Sequence, residues 1–418
     1  MINKTVLNNG IRIISEKIPH SYSVTIGIWV TNGSRHERRE SNGVAHFIEH
    51  LLFKGTKRRS ALDISREIDS VGGVLNAFTS REFVCYYAKV LDTYLPKAVD
   101  LLVDIFLNSR FDEEETEKER KVVLQEIHMQ EDTPDDYIHD LFSQNLWRGH
   151  PLGMPIIGNE KSVERLDRDF VIGYMKENYR AEDIIIAAAG NVDHDNLLSL
   201  LNHVFDGVPT GSARKSTRSP KYKKNMTVLE KDLEQVHLCM GLKSLPQNHE
   251  LRYEAHVMNT ILGGGMSSRL FQEVREKKGL AYSIYSYMAS HSDTGSLAVY
   301  AGTSQERLAE VIEIILREFK RLKNRPVGRI ELVSAKEQLK GNILLSLESS
   351  DNRMSKLAKN EIYFDRYQSL QELMEGFNRV SAKSLQELSQ QVFDDRNITL
   401  VLLGRPGGIS FSEDCLTI

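Results

Sequence analysis

Alternation of apolar and polar positions, with many β-branched residues, marks two strands near the start of the chain: Gly-Ile-Arg-Ile-Ile-Ser from Gly10, and Tyr-Ser-Val-Thr-Ile-Gly-Ile-Trp-Val from Tyr22, with a Pro19-containing turn between them. From Gly43 to Leu52 and from Ala61 to Val71 the apolar spacing becomes helical. Ser60 suits an N-cap for the second segment, and Gly72-Gly73 ends it. Strands are expected from Val74 to Thr79 and from Phe83 to Val90. Helices follow from Leu95 to Asn108, Glu113 to Gln130, Tyr137 to Leu146 and Asp169 to Tyr179. An apolar strand from Ile184 to Ala189 and a helix from His194 to Val204 complete a two-layer α+β unit.

From Gly207 to Asn225 periodicity is lost, and Pro, Gly, Ser and positive charge accumulate, as in an exposed linker. The reading is a domain over 1–210, a linker over 211–225 and a second domain over 226–418. The order of elements then recurs: strands near Val228 and Val236, a helix from Glu250 to Leu262, a Gly263-Gly-Gly turn, a helix to Lys278, and strands at Ala281 and Gly295. At an offset of 213, Tyr87 falls on Tyr300, Ala88 on Ala301, Leu95 on Leu308, Asp100 on Glu313 and Phe106 on Phe319. Internal duplication would leave this trace, and so would independent resemblance of two strand-to-helix joints. The expected fold class is α+β: two similar α/β-sandwich halves, each a mixed, largely antiparallel sheet covered by helices, related by internal duplication.

Composition narrows the function little. The 418 residues are 40% hydrophobic and 27% charged, with 54 basic against 58 acidic side chains and a net charge of −4, which gives no general pull toward nucleic acid or membrane. Three scattered cysteines form no C-x-x-C pair. The N-terminus shows no basic-then-apolar leader and no run spans a bilayer, so a cytoplasmic location is expected. Basic runs at Lys54, Lys57, Arg58 and Arg59 and at Arg214, Lys215, Arg218, Lys221, Lys223 and Lys224 lack interleaved aromatics and read as solvated loops, not a nucleic-acid face.

Gly43-Val-Ala-His46-Phe-Ile-Glu49-His50-Leu-Leu-Phe53-Lys-Gly-Thr56 is the most informative stretch. Four residues apart on a helix, His46 and His50 share a face and can share a metal ion, while Glu49 lies beside them as a base for metal-bound water. Two histidines do not complete a catalytic zinc site. Glu119 and Glu126, two turns apart on one helical face, both qualify as the third ligand, the other then orienting a histidine; spacing leaves that choice open. In the second half, Gly263-Gly-Gly-Met-Ser-Ser-Arg269 lacks the Lys-Ser/Thr of a phosphate loop and reads as a flexible turn. Arg275 and Tyr282, by themselves, read as a surface cation and a half-buried aromatic. The remaining histidines, such as His128, His150 and His237, read as structural.

The motif H-x-x-E-H, continued by Phe53-Lys-Gly-Thr56 and followed by Glu126, resembles the pitrilysin family of inverzincin zinc metallopeptidases, and in length its mitochondrial processing peptidase branch with its bacterial homologues. Asn76-Ala-Phe-Thr79 with Tyr86-Tyr87, Glu131-Asp-Thr-Pro-Asp135 and His150-Pro-Leu-Gly153 extend the similarity through nearly the whole chain. The resemblance implies one Zn2+ per chain held by His46, His50 and Glu126, with Glu49 as the base and Glu119 supporting a ligand. It implies that Arg275 and Tyr282 meet the substrate, Tyr282 near the developing oxyanion. It also implies that an extended peptide adds to a sheet edge at the strand of Asn76 and Ala77.

Together these imply a zinc endopeptidase for short or unfolded polypeptides, working as a homodimer whose halves enclose a chamber, with no nucleic-acid or membrane partner. A reading from another class is a metal-free binding or scaffold subunit, like the core subunits of a respiratory complex. The presence of ligands, base and the Arg/Tyr pair on one chain favours the enzyme.

Overall fold

The computed structural model describes residues 1–213, 218–407 and 413–418. Two compact units divide the chain. The first comprises Met1–Met129, Met154–Thr217 and Ser346–Tyr367; the second comprises Gln130–Gly153, Arg218–Leu345 and Gln368–Ile418. Positions 214–217 of the expected linker, with Arg214 and Lys215, lie outside the described residues, and 218–224 carry no regular secondary structure.

The first unit is built on strands β1 (Ile2–Val6), β2 (Arg12–Lys17), β3 (Ser23–Val30), β4 (Val74–Thr79), β5 (Val84–Leu91) and β6 (Ile184–Gly190), in the order β1-β2-β6-β3-β5-β4. Only β2 and β6 run parallel; the other neighbours are antiparallel. Every residue of β6 is buried, because helices cover both faces, and its sequence Ile-Ile-Ile-Ala-Ala-Ala-Gly shows no alternation. Helices α1 (Val44–Leu52), α2 (Ala61–Asp69) and α3 (Leu95–Asn108) pack Phe47, Ile48, Leu51, Ile64, Leu101 and Ile105 into one core with Ile26, Ile28 and Tyr86 of the sheet. Next come α4 (Glu113–Glu131), α5 (Pro134–Leu146), α6 (Glu160–Val163), α7 (Arg168–Asn178) and α8 (His194–Leu201).

The second unit repeats this plan. Strands β7 (Asn225–Leu229), β8 (Val236–Ser244), β9 (Ala281–Ser290), β10 (Gly295–Thr303) and β11 (Thr399–Leu403) run β7-β11-β8-β10-β9, with β7 and β11 parallel. Mapping β2 onto β7, β6 onto β11, β3 onto β8, β5 onto β10 and β4 onto β9 reproduces the strand order of the first sheet, with β1 as an additional edge. Helices α9 (Arg252–Gly263), α10 (Leu308–Asn324), α11 (Arg329–Ser346), α12 (Ser350–Phe364), α13 (Leu370–Arg379) and α14 (Ala382–Val392) follow. The 213-residue offset carries the short turn Asp92–Tyr94 onto Gln305–Arg307 and the start of α3 at Leu95 onto that of α10 at Leu308. Two similar α+β halves are therefore present.

One helix of each half completes the other half's sheet. α5 belongs to the second unit, where Ile138, Phe142 and Leu146 pack on Cys239, Val401 and Leu403. α12 belongs to the first, where Met354, Leu357 and Ala358 cover Trp29, Cys85 and Ile185, and the Trp29 indole donates to Met354 Sδ at 3.1 Å. Strand β1 was not visible in the alternation, because its polar residues Asn3, Lys4 and Thr5 occupy an edge paired only with β2. The expected helix leading to Lys278 is, in its regular part, a single π-helical turn, Phe271–Glu276.

Candidate metal centre

Helix α1 presents two faces. Val44, Ala45, Phe47, Ile48, Leu51 and Leu52 are buried in the core, and this fixes His46, Glu49 and His50 together on the opposite side. Its start is held without a Ser, Thr or Asp cap. Gly43 takes φ +94°, and a Cβ there would lie 2.7 Å from the Ile157 carbonyl oxygen. The orphan donors of the first turn are met from a distance by Glu37, whose buried carboxylate accepts from the N–H of Gly43 at 2.8 Å and of Ala45 at 2.9 Å, and from the Asn42 side-chain amide at 3.0 Å. Burial pushes the Glu37 carboxyl up to about 7, against these three hydrogen bonds.

Helix α4 brings the two glutamates to different places. Its buried seam runs through Thr116, Glu119, Val123 and Ile127, so Glu119 points into the fold and Glu126 sits one position off the seam. Glu126 Oε2 lies 3.5 Å from His50 Nε2 and 3.9 Å from His46 Nε2, and one ligand atom from each of the three residues falls within 4.8 Å of the others. Donors at about 2.0–2.1 Å from a tetrahedral zinc stand roughly 3.4 Å apart, so two imidazoles and a carboxylate at these separations fit that ion after small adjustments. Glu119 takes the other side of His50: its Oε2 lies 3.1 Å from Nδ1, and its Oε1 lies 2.7 Å from Lys54 Nζ.

The histidines differ in support. His50 has a carboxylate at Nδ1, which directs the Nε2 lone pair outward, whereas His46 Nδ1 is buried with no hydrogen-bond partner among the described residues. Burial, with repulsion from His50 added, pushes the His46 imidazole down to about 4, leaving it neutral and able to donate a lone pair at neutral pH. Glu49 receives a hydrogen bond on Oε2 from the Thr79 hydroxyl at the end of β4. Burial raises its carboxyl above the ordinary range and Glu126 adds to the rise; Thr79 and His50 oppose it.

Asn76 and Ala77 lie on β4, which pairs with β5 alone and forms one edge of its sheet. In the second unit the Arg275 guanidinium lies over the rings of Phe271 and Tyr282, 4.8 Å from each centroid, and Tyr282 is 79% exposed at the start of β9. Thus His46, His50, Glu126, Glu119 and Glu49 are brought together in one unit, and Arg275 and Tyr282 are brought together in the other.

Comparison with known proteins then decides the family. The profile described as Insulinase (Peptidase family M16) matches residues 12–160, and that described as Peptidase M16 inactive domain matches residues 165–339. The uncharacterized zinc protease YmxG of Bacillus subtilis is 41% identical over 98% of this chain and 100% of its own length. The chain belongs to peptidase family M16. An uncharacterized zinc protease of Streptomyces coelicolor is 38% identical, covering 94% of this chain and 88% of its own. In fold, this M16 chain is similar to a protease from Helicobacter pylori, with a TM-score of 0.89 and 23% identity over 97% of this chain and 100% of that one. All the residues gathered around His46 and His50 fall within the first M16 match.

Three residues of the M16 site escaped the sequence reading. By pattern alone Thr79 is a strand end within a family-like segment, Glu37 has no role, and Lys54 falls in a basic run that reads as a solvated loop. That loop is in fact divided among designated carboxylates: Lys54 on Glu119, and Arg58 and Arg59 on Asp100 and the buried Asp104. Lys54 lies just beyond the end of α1, so helical spacing gives no signal for it.

Proposed function

We propose that this chain is a zinc-dependent endopeptidase that cleaves short or unfolded polypeptides, with one Zn2+ per chain held by His46, His50 and Glu126. One observation carries the reading: ligand atoms of these three residues converge within 4.8 Å, with Glu49 on the same helix face. When bound, zinc supplies Lewis acidity that polarises a carbonyl and makes water nucleophilic near neutral pH. Glu49 takes the proton of the attacking water and returns it to the leaving amine; its burial raises its basicity, and the Thr79 hydroxyl fixes one oxygen so that the other faces the reaction. Glu119 holds His50 in the tautomer that presents Nε2.

In this reading an extended peptide adds to the free edge of β4 beside Asn76 and Ala77, where backbone pairing binds with little regard for sequence. Arg275 and Tyr282 contact substrate, the phenol donating to the charge that develops on the scissile carbonyl oxygen. Support for this role is the exposure of Tyr282 and its stacking on Arg275. A homodimer enclosing a chamber is the proposed assembly, and a cytoplasmic setting agrees with the buried thiols of Cys85 and Cys239, which form no disulfide. Among the described residues no helix is long and apolar enough to cross a membrane.

The test is a mass-spectrometric map of products from a library of unstructured peptides incubated with purified protein, with and without chelator. Chelator-sensitive internal cuts are expected. Zinc-loaded protein that binds peptides and never cuts them would replace this reading with a passive binding subunit.

A further inference from the structure

Lys54 follows directly on the metal helix and stands in no established role. Its ammonium lies 2.7 Å from Glu119 Oε1, while the other oxygen of the same carboxylate lies 3.1 Å from His50 Nδ1. Glu119 is buried, so both of its oxygens are assigned: one to a cation, one to an imidazole. A buried carboxylate that loses its counter-cation is strongly disfavoured and turns toward water or another donor. In either case it would cease to be a fixed acceptor for the imidazole.

The chain around Lys54 is built to keep the ammonium there. Phe53 closes α1, donating its N–H to the carbonyl of His50, and Gly55 turns the chain at φ +119°. The next residues are clamped to α3: the Thr56 hydroxyl donates to Asp104 Oδ2 at 2.7 Å, Arg59 reaches the same oxygen at 2.7 Å, Arg58 Nε donates to Oδ1 at 3.1 Å, and the Lys57 N–H donates to the Asn108 carbonyl. A lysine on a free loop spreads over many rotamers; one rooted between a helix end and a four-bond clamp does not.

We infer that Lys54 is a positioning residue of the metal centre, acting through Glu119 to hold the His50 imidazole with Nε2 toward the ion. This rests on the zinc reading above. Lys54 touches neither the ion nor the substrate, and its effect passes entirely along the line Lys54, Glu119, His50.

The test measures zinc affinity by competition with a chromophoric chelator on full-length protein, for wild type, Lys54→Met, Lys54→Arg, Glu119→Gln and the double variant Lys54→Met/Glu119→Gln. Loss of an outer support of this kind weakens metal binding by about 10-fold to 100-fold. Lys54→Met is expected to weaken zinc by roughly tenfold, toward the low end of that range because it acts one residue further out. Lys54→Arg, which keeps the charge, is expected to recover most of the loss. With Glu119 already neutral, adding Lys54→Met is expected to change affinity by less than about twofold, since coupled neighbours do not add. Affinity of Lys54→Met within twofold of wild type, or the same weakening in the Glu119→Gln background, would overturn the inference while leaving the zinc reading intact. Wild-type protein that takes no zinc would overturn both. Should Lys54→Met fail to fold, Lys54→Gln, which also removes the charge, takes its place: affinity within twofold of wild type with Glu119 present, or the same weakening in the Glu119→Gln background, counts against the role.

Discussion

The hydroxyl of Thr79, the last residue of β4, donates to Oε2 of Glu49 on α1. The edge strand proposed to bind peptide is thereby joined to the proposed base. Replacing Thr79 with Val removes a hydrogen bond to a carboxylate, worth about 1.5–3 kcal/mol, and is expected to lower kcat/KM roughly 10-fold to 100-fold. Zinc content should be unchanged, and Thr79→Ser should restore most of the rate. Because the hydroxyl stabilises the ionised form, its loss raises the Glu49 pKa, and the acid limb of the rate profile is expected to move to higher pH.

Glu49→Gln keeps the side chain's shape and removes its basicity. Bound zinc is expected to stay stoichiometric while peptide cleavage falls by about 10²-fold to 10⁴-fold, the range for a lost general base. Metal analysis beside a fluorogenic peptide assay separates the two effects. Retained turnover would remove Glu49 from the role.

The two glutamates of α4 are expected to respond differently. Glu126→Ala or His50→Ala should abolish stoichiometric zinc, because each deletes a convergent ligand atom. Glu119→Gln should leave the metal bound but weaker by about 10-fold to 100-fold. Equal losses for Glu119 and Glu126 in a chelator titration would contradict the separation of their positions.

In metal-free protein His46 carries a pH dependence of definite sign. Its pKa is pushed from 6.5 down to about 4 in the fold, so between these values the unfolded chain binds more protons. Stability from this group is present above pH 6.5 and is lost as the pH falls toward 4, amounting to about 3 kcal/mol. Urea melts in chelator at pH 7 and pH 4.5 should show a smaller difference for His46→Gln than for wild type by roughly that amount. An identical difference for the two proteins would count against it.

Subunit mixing tests the proposed assembly. Arg275→Ala and Glu49→Gln proteins are each expected to be inactive alone. If substrate contacts from one subunit serve the base of another, mixed dimers should recover cleavage, up to one working site each. No recovery after subunit exchange, verified by mass spectrometry, would argue against a shared site.

Much of the fold was legible because local pattern and tertiary role agreed. The helix from Leu95 to Asn108 and the strand from Val74 to Thr79 are found at the expected bounds. In α5, by contrast, the helix begins at Pro134, where a proline is favoured in the first turn, and not at Tyr137 as the apolar spacing suggested. The H-x-x-E-H face was legible because a helix places residues three and four apart together regardless of context. Spacing leaves Glu119 and Glu126 equivalent, since each stands three residues after a seam position, Thr116 or Val123; only the packing of the fold, which buries Glu119 and leaves Glu126 half-buried, separates them. Thr79 and Glu37 were invisible because their partners lie 30 positions away for Thr79, and because Glu37 caps a helix from outside the adjoining turn.

The reciprocal loan of α5 and α12 bears on how this polypeptide can be dissected. A fragment that stops before the basic stretch near 214 would leave Trp29, Cys85 and Ile185 without Met354, Leu357 and Ala358 above them, and would carry Phe142 with nothing of Cys239 or Val401 to rest on. Each product would leave a sheet face uncovered, so a nick in that stretch is expected to give two pieces that stay native only by remaining in each other's company.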